Sequence, residues 1–188
     1  LDIFKSIGVE TFGIEGSKQL VKRARAVGHY VYDGFLPETG LSLELGQKLF
    51  DLVTSFNFIE HLPDPLASLR LLGMHLKPGG HAILEVPNFD MISKFGLFNE
   101  FIPDHRSYFT AETFQVLLSM AGFEILSMDT IWDKYILTAL ARKREHSAWS
   151  PYEEVRSSLR IEIEDFYKNS PKSHNAIWSA GHQSLATI

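Results

Sequence analysis

The chain has 188 residues, 45% of them hydrophobic, with 18 basic and 23 acidic side chains and no cysteine. This is the length of one ordinary domain with enough apolar content for a core, which excludes a disordered or low-complexity chain, and the net charge of −5 argues against a surface built to neutralise nucleic acid. Without a thiol there is no disulfide framework, thiolate nucleophile or thiolate metal site within these residues, which suits a cytoplasmic protein. No apolar run approaches the ~18 residues of a membrane span, and the first residues lack the pattern of a signal peptide.

Leu1 through Gly8 reads as the end of a helix closing on glycine, with no initiator Met before it, so the sequence is expected to begin inside an element. Val9 to Glu15 reads as a buried strand, and Ser17 as the cap of a helix running to about Val27 with Leu20, Val21 and Ala24 on one side. A short strand at Tyr30 to Tyr32 leads into a loop from Asp33 to about Lys48. Asp51 to Phe56 is the clearest core strand, broken by Asn57. Asp64-Pro65 opens a helix whose Leu66, Leu69, Leu72 and Leu76 keep helical spacing, and Lys77-Pro78-Gly79-Gly80 is the turn that stops it. His81 to Val86 is the next strand, ended by Pro87-Asn88, and a long aromatic loop follows. Thr110 caps a helix to Ala121 with Phe114, Leu117 and Leu118 inward, before strands at Phe123 to Met128 and Trp132 to Ala141.

Alternating strands and helices predict a Rossmann-like α/β fold, a mostly parallel sheet with helices on both faces, because parallel neighbours need a crossover. The last two strands have no room for one, so they form an antiparallel pair. Ser150-Pro151-Tyr152-Glu153 is a capping box that opens a further helix, and Asn175 to Trp178 reads as a new strand leading into another helix start. The expected division is an N-terminally incomplete domain over residues 1–145, a linking helix over 146–172 and the start of a second α/β domain over 173–188.

In such sheets ligands sit beyond the carboxyl ends of the strands. Glu15 ends the first strand, where a carboxylate either accepts hydrogen bonds from ribose hydroxyls or stands solvated at a turn. His61 follows the core strand, and His105 lies beside Asp104 in the aromatic loop; an imidazole beside a carboxylate is suited to removing a proton, against the alternative of a surface pair with no role. The eight histidines show no i, i+4 or His-x-His spacing, so no metal site is expected.

Gly13-Ile14-Glu15-Gly16-Ser17, Phe50-Asp51-Leu52-Val53, Glu60-His61-Leu62-Pro63-Asp64-Pro65, Leu76-Lys77-Pro78-Gly79-Gly80, Val86-Pro87-Asn88 and Ala121-Gly122-Phe123 together resemble the class I S-adenosylmethionine-dependent methyltransferases over residues 1–142. The resemblance implies S-adenosyl-L-methionine as cofactor, with Glu15 at its ribose, Gly16 among the cofactor-binding residues, Asp33 or its neighbours Gly34 and Phe35 at adenine, and Phe56, Asn57 and Phe58 at its methionine end. It also implies a first strand and glycine-rich loop ahead of Leu1. Residues 101–110 resemble the sugar C-methyltransferases that act on nucleotide-linked keto-deoxysugars, although Asp104 and Ile102 stand where that subgroup has Glu and Tyr. That resemblance implies His105 as the base, Asp104 beside it, and His61 as the companion that stabilises an enolate. The partner is then a small-molecule substrate such as a nucleotide sugar, with no nucleic acid and no membrane. The competing readings are an O- or N-methyltransferase of a small metabolite and a degenerate module that binds no cofactor.

Overall fold

A computed structural model describes residues 1–36 and 48–144, with Asp165, and arranges them as alternating strands and helices. The chain divides into two units, Leu1–Glu145 and His146–Ile188. The expected helix from Ser150, the strand at residues 175–178, the segments 146–172 and 173–188, and most of the loop after Asp33 fall outside the described residues.

Helix α1 (Asp2–Ser6) is short and is followed by Gly8 at φ +84°, as its glycine stop requires. Strand β1 (Phe12–Glu15), helix α2 (Lys18–Ala26) and strand β2 (Tyr30–Asp33) form a βαβ unit, paired in parallel from Phe12↔Tyr30 to Glu15↔Asp33. Strand β3 (Phe50–Phe56), a 3-10 turn (Ile59–His61), helix α3 (Pro65–Met74) and strand β4 (Leu76–Pro87) form a second one. Asp64 caps α3 by accepting the Ala67 N–H at 2.8 Å, with Pro65 at the first helical position, where its missing N–H costs nothing. Helices α4 (Phe89–Phe95) and α5 (Ala111–Met120) precede strands β5 (Phe123–Ile131) and β6 (Ile136–Lys143). Thr110 and Thr113 cap α5 reciprocally, each hydroxyl taking the other's backbone N–H.

The strand order is β3-β4-β6-β5, with β6 antiparallel to both neighbours. Strand β4 is therefore paired on both edges, and its Leu76, Ala82, Leu84 and Val86 are fully buried against Leu137, Ala139 and Ala141 of β6, Leu69 of α3, and Phe114 and Leu118 of α5. Among the described residues no helix is long and apolar enough to cross a membrane.

The Rossmann-like α/β class with an antiparallel C-terminal pair is what the structure shows, but the strands fall into two sheets, β1–β2 and the four-stranded one. Among the described residues nothing pairs with the outer edges of β1 and β3. A cavity of about 760 Å³ is lined by both, with Phe12, Ile14 and Glu15 from one strand and Leu52, Val53 and Ser55 from the other. This explains why neither β1 nor β3, both expected in the core, contains a fully buried residue.

Other boundaries move for local reasons. Leu76, expected on the helix stripe, opens β4, since Phe50 pairs with Leu76 and pulls the Lys77–Gly80 turn into the strand edge with a register shift. Gly80 belongs there because a Cβ would meet the Lys77 carbonyl oxygen at 2.9 Å. The supposed loop after Pro87 contains α4, capped by Asn88 accepting from Asp90 N–H and closed by Gly96 in the left-handed region. Trp132, Asp133 and Lys134 all have positive φ and make the hairpin turn, so the last strand starts at Ile136 and not at Trp132. Ser17 holds the N-cap position of α2 without a capping bond from its hydroxyl, and its own N–H donates to Glu15 Oε1 at 2.7 Å.

Candidate active site

The residues singled out from the sequence fall in two groups, both at strand ends. The first ends the β1–β2 pair. Glu15 and Asp33 are register partners, the Gly34 N–H donates to the Glu15 carbonyl at 3.1 Å, and the Phe35 ring lies so close over Gly16 that a Cβ there would sit 2.2 Å from it. Two carboxylates, a glycine without a side chain and a half-exposed aromatic plate thus gather at one edge.

The second group follows β3. Phe56 and Phe58 are exposed, while Asn57 between them takes positive φ, and its buried Oδ1 lacks a hydrogen-bond partner. A single 3-10 turn then presents Glu60 and His61. The Glu60 carbonyl accepts N–H bonds from Arg106 at 2.8 Å and Ser107 at 3.1 Å, which ties the distant segment 101–109 to this turn. The Phe109 carbonyl likewise accepts from Phe89 N–H at 2.9 Å.

Those ties bring His105 to His61, edge to face, with ring centroids 4.7 Å apart. His61 Nδ1 lies 3.1 Å from the Asp104 carbonyl and 3.4 Å from its carboxylate Oδ2. His105 Nδ1 is buried without a partner. Beyond it an aromatic wall continues through Tyr108, Phe101, Phe89 and the exposed Phe98, with neighbouring centroids 5.1 to 6.5 Å apart. Glu100 accepts a short hydrogen bond from the Tyr135 hydroxyl, whose pKa burial and then the Glu100 bond push up to about 12. Tyr135 is therefore a fixed donor at neutral pH.

Residues 1–128 match the family model described as a methyltransferase domain. The chain belongs to that family. A ubiquinone biosynthesis O-methyltransferase of Aliivibrio fischeri is 30% identical over 92 residues, covering 43% of this chain and 36% of that protein. One from Vibrio vulnificus is 39% identical over 41 residues, 22% of this chain and 17% of its own length. The match thus spans only about a third of the first curated relative, or less for the second. Among solved structures, an S-adenosylmethionine-dependent methyltransferase of Mesorhizobium loti is 19% identical with a TM-score of 0.61, covering 76% of this chain and 84% of that one. Another from Archaeoglobus fulgidus is 18% identical with a TM-score of 0.56, covering 76% and 80%. These likenesses show the methyltransferase fold.

In this methyltransferase domain Glu60 is the residue that reasoning from sequence passed over. It was legible only as part of a motif, yet it is 2% exposed and its Oε2 has no partner. Burial pushes its carboxyl pKa above the ordinary 4.5, with Asp104 adding to the rise and the backbone and His61 opposing it. A group whose folded pKa is raised contributes stability that is full below its unfolded value and is lost as pH rises through the folded one. Thermal melts are therefore expected to show the wild type losing stability relative to Glu60→Gln as pH rises from 4.5; parallel curves would show that burial does not govern this carboxyl.

Proposed function

We propose that this chain is part of an S-adenosylmethionine-dependent methyltransferase that methylates a small molecule after His105 takes a proton from the acceptor. The observation that carries it is the His61–His105 couple, in which Asp104 orients one imidazole and the other keeps a buried nitrogen free of partners.

The residues present fit the nucleoside of the cofactor. The Phe35 ring packs directly over Gly16, where a side chain would have to displace it, Glu15 and Asp33 offer acceptors suited to hydroxyls and amines, and Asn57 brings a buried, unpartnered oxygen toward the methionine end in this reading. When bound, S-adenosylmethionine supplies a methyl group activated by its sulfonium charge, so the protein mainly has to hold donor and acceptor in line.

The work left to this chain is at the acceptor. The Phe101, Tyr108 and Phe89 rings give a ring-shaped acceptor an apolar bed beside His105. His105 removes its proton, and Asp104 holds His61 in the tautomer that leaves Nε2 facing the site. The Aliivibrio fischeri relative is named an O-methyltransferase, which supports a hydroxyl as the acceptor. The resemblance of residues 101–110 to the sugar C-methyltransferases supports the other reading, C-methylation of a nucleotide-linked keto-deoxysugar.

Calorimetric titration of the intact protein with S-adenosylmethionine tests the cofactor assignment. Glu15→Ala is expected to weaken binding by about 10-fold or more, the value of at least one hydrogen bond to a charged group. NAD in place of S-adenosylmethionine is expected to give no heat, and binding of neither would favour the degenerate module.

A further inference from the structure

The base couple has a third member that proton transfer does not use. One ligand atom from each of Glu60, His61 and His105 lies within 4.8 Å of the other two. Glu60 Oε2 and His105 Nδ1 are both buried without a partner, and the Glu60 side chain is only 3% exposed. Unpaired buried acceptors are costly, and a cation bound between them would satisfy both at once.

His61 is already set as a ligand. With Nδ1–H donated to Asp104, its Nε2 lone pair is left on the side of Glu60, where it lies 3.8 Å from Oε1. A carboxylate or carbonyl behind an imidazole is the outer partner that metal-bound histidines commonly have. The two ligand-bearing segments are also fastened together, through the Glu60 carbonyl and the Arg106 and Ser107 amides.

We propose that Glu60, His61 and His105 form a site for a divalent cation of the zinc class, and that filling it switches methyl transfer off. Two imidazole nitrogens and one carboxylate oxygen are a zinc ligand set with an open fourth position. Bonds of about 2.0 to 2.2 Å place tetrahedral ligand atoms roughly 3.3 Å apart; His61 Nε2 and Glu60 Oε1, 3.8 Å apart, are near that spacing, and the three ligand atoms all lie within 4.8 Å of one another. Imidazole ligands favour zinc, cobalt or nickel over magnesium and calcium. His61 and His105 are both partly exposed, which leaves a way in. The switch rests on the reading of His105 as the base: a nitrogen lone pair given to a cation cannot accept a proton. The site itself does not depend on that reading.

The chain spacing hides this cluster, because Glu60-His61 and His105 meet only through the fold. Titration of the intact, chelator-treated protein with Co²⁺ is expected to give the visible absorption of one tetrahedral cobalt per chain, displaced by Zn²⁺. Glu60→Gln and His105→Ala are expected to lose that absorption. His81→Ala, an exposed histidine elsewhere, is expected to keep it.

In methyl-transfer assays one equivalent of Zn²⁺ is expected to inhibit the wild type, with recovery on adding chelator. Glu60→Gln, which keeps both histidines, is expected to stay active and ignore Zn²⁺. Absence of the cobalt spectrum, or its survival in Glu60→Gln protein whose circular dichroism shows the wild-type fold, overturns the site. A cobalt spectrum with undiminished or increased methyl transfer overturns the switch. Inactivity of the metal-free protein alongside an intact spectrum overturns the base reading and leaves the site standing.

Discussion

His105→Ala is expected to lower methyl transfer by about 10²–10⁴-fold, the usual contribution of a positioned general base, which corresponds to about 3–5 kcal/mol of barrier. The loss is expected in the rate at saturating substrate and not in affinity for S-adenosylmethionine, because His105 stands with His61 and the aromatic wall while the proposed nucleoside residues gather at the end of β1 and β2. His61→Ala should cost less, since the unpartnered nitrogen belongs to His105. Steady-state kinetics together with calorimetry on the same preparations separate the two effects. A wild-type rate in His105→Ala would remove the base from this histidine, and an equal loss of cofactor affinity would make the residue structural.

Phe114→Ala is expected to be the most damaging substitution for stability. Phe114 is 0% exposed, lies on the inner face of α5 and packs against Phe109 with centroids 5.7 Å apart, so truncation leaves a cavity bounded by the rigid strands β4 and β6. Buried Phe→Ala changes cost about 3–5 kcal/mol, a large share of the ~5–15 kcal/mol that holds a domain together. Melting is expected to fall by on the order of 10 °C for a chain of this size. Val116, two positions along the same helix and 53% exposed, is the control: its alanine variant should change stability by about 0.5 kcal/mol at most. Phe109 also ends the segment that carries His105, so the Phe114 variant is expected to lose activity on warming before it loses helix signal.

The elements that were legible in the sequence are those whose ends are marked by local chemistry. Asp64-Pro65, Thr110 and Gly8 each fix a boundary through a bond or a backbone angle within a few residues, and each stands where the sequence places it. The antiparallel pairing of the last two strands follows in the same way from the shortness of their connection. Helix α4 carried equally local signals, Asn88 before it and Gly96 after it, and was hidden by the aromatic content of its surroundings.

What the sequence by itself determined, then, is the α/β order of the chain and the ends of strands at which ligand chemistry could stand. Only the tertiary structure decided which distant residues meet there. Glu60, His61 and His105 become neighbours because two amides of segment 101–109 bond one carbonyl in the turn after β3, a contact that no periodicity encodes. The burial of β1 and β3 was likewise beyond the sequence, since apolar content says that a strand seeks a neighbour on each edge and does not say whether one is there.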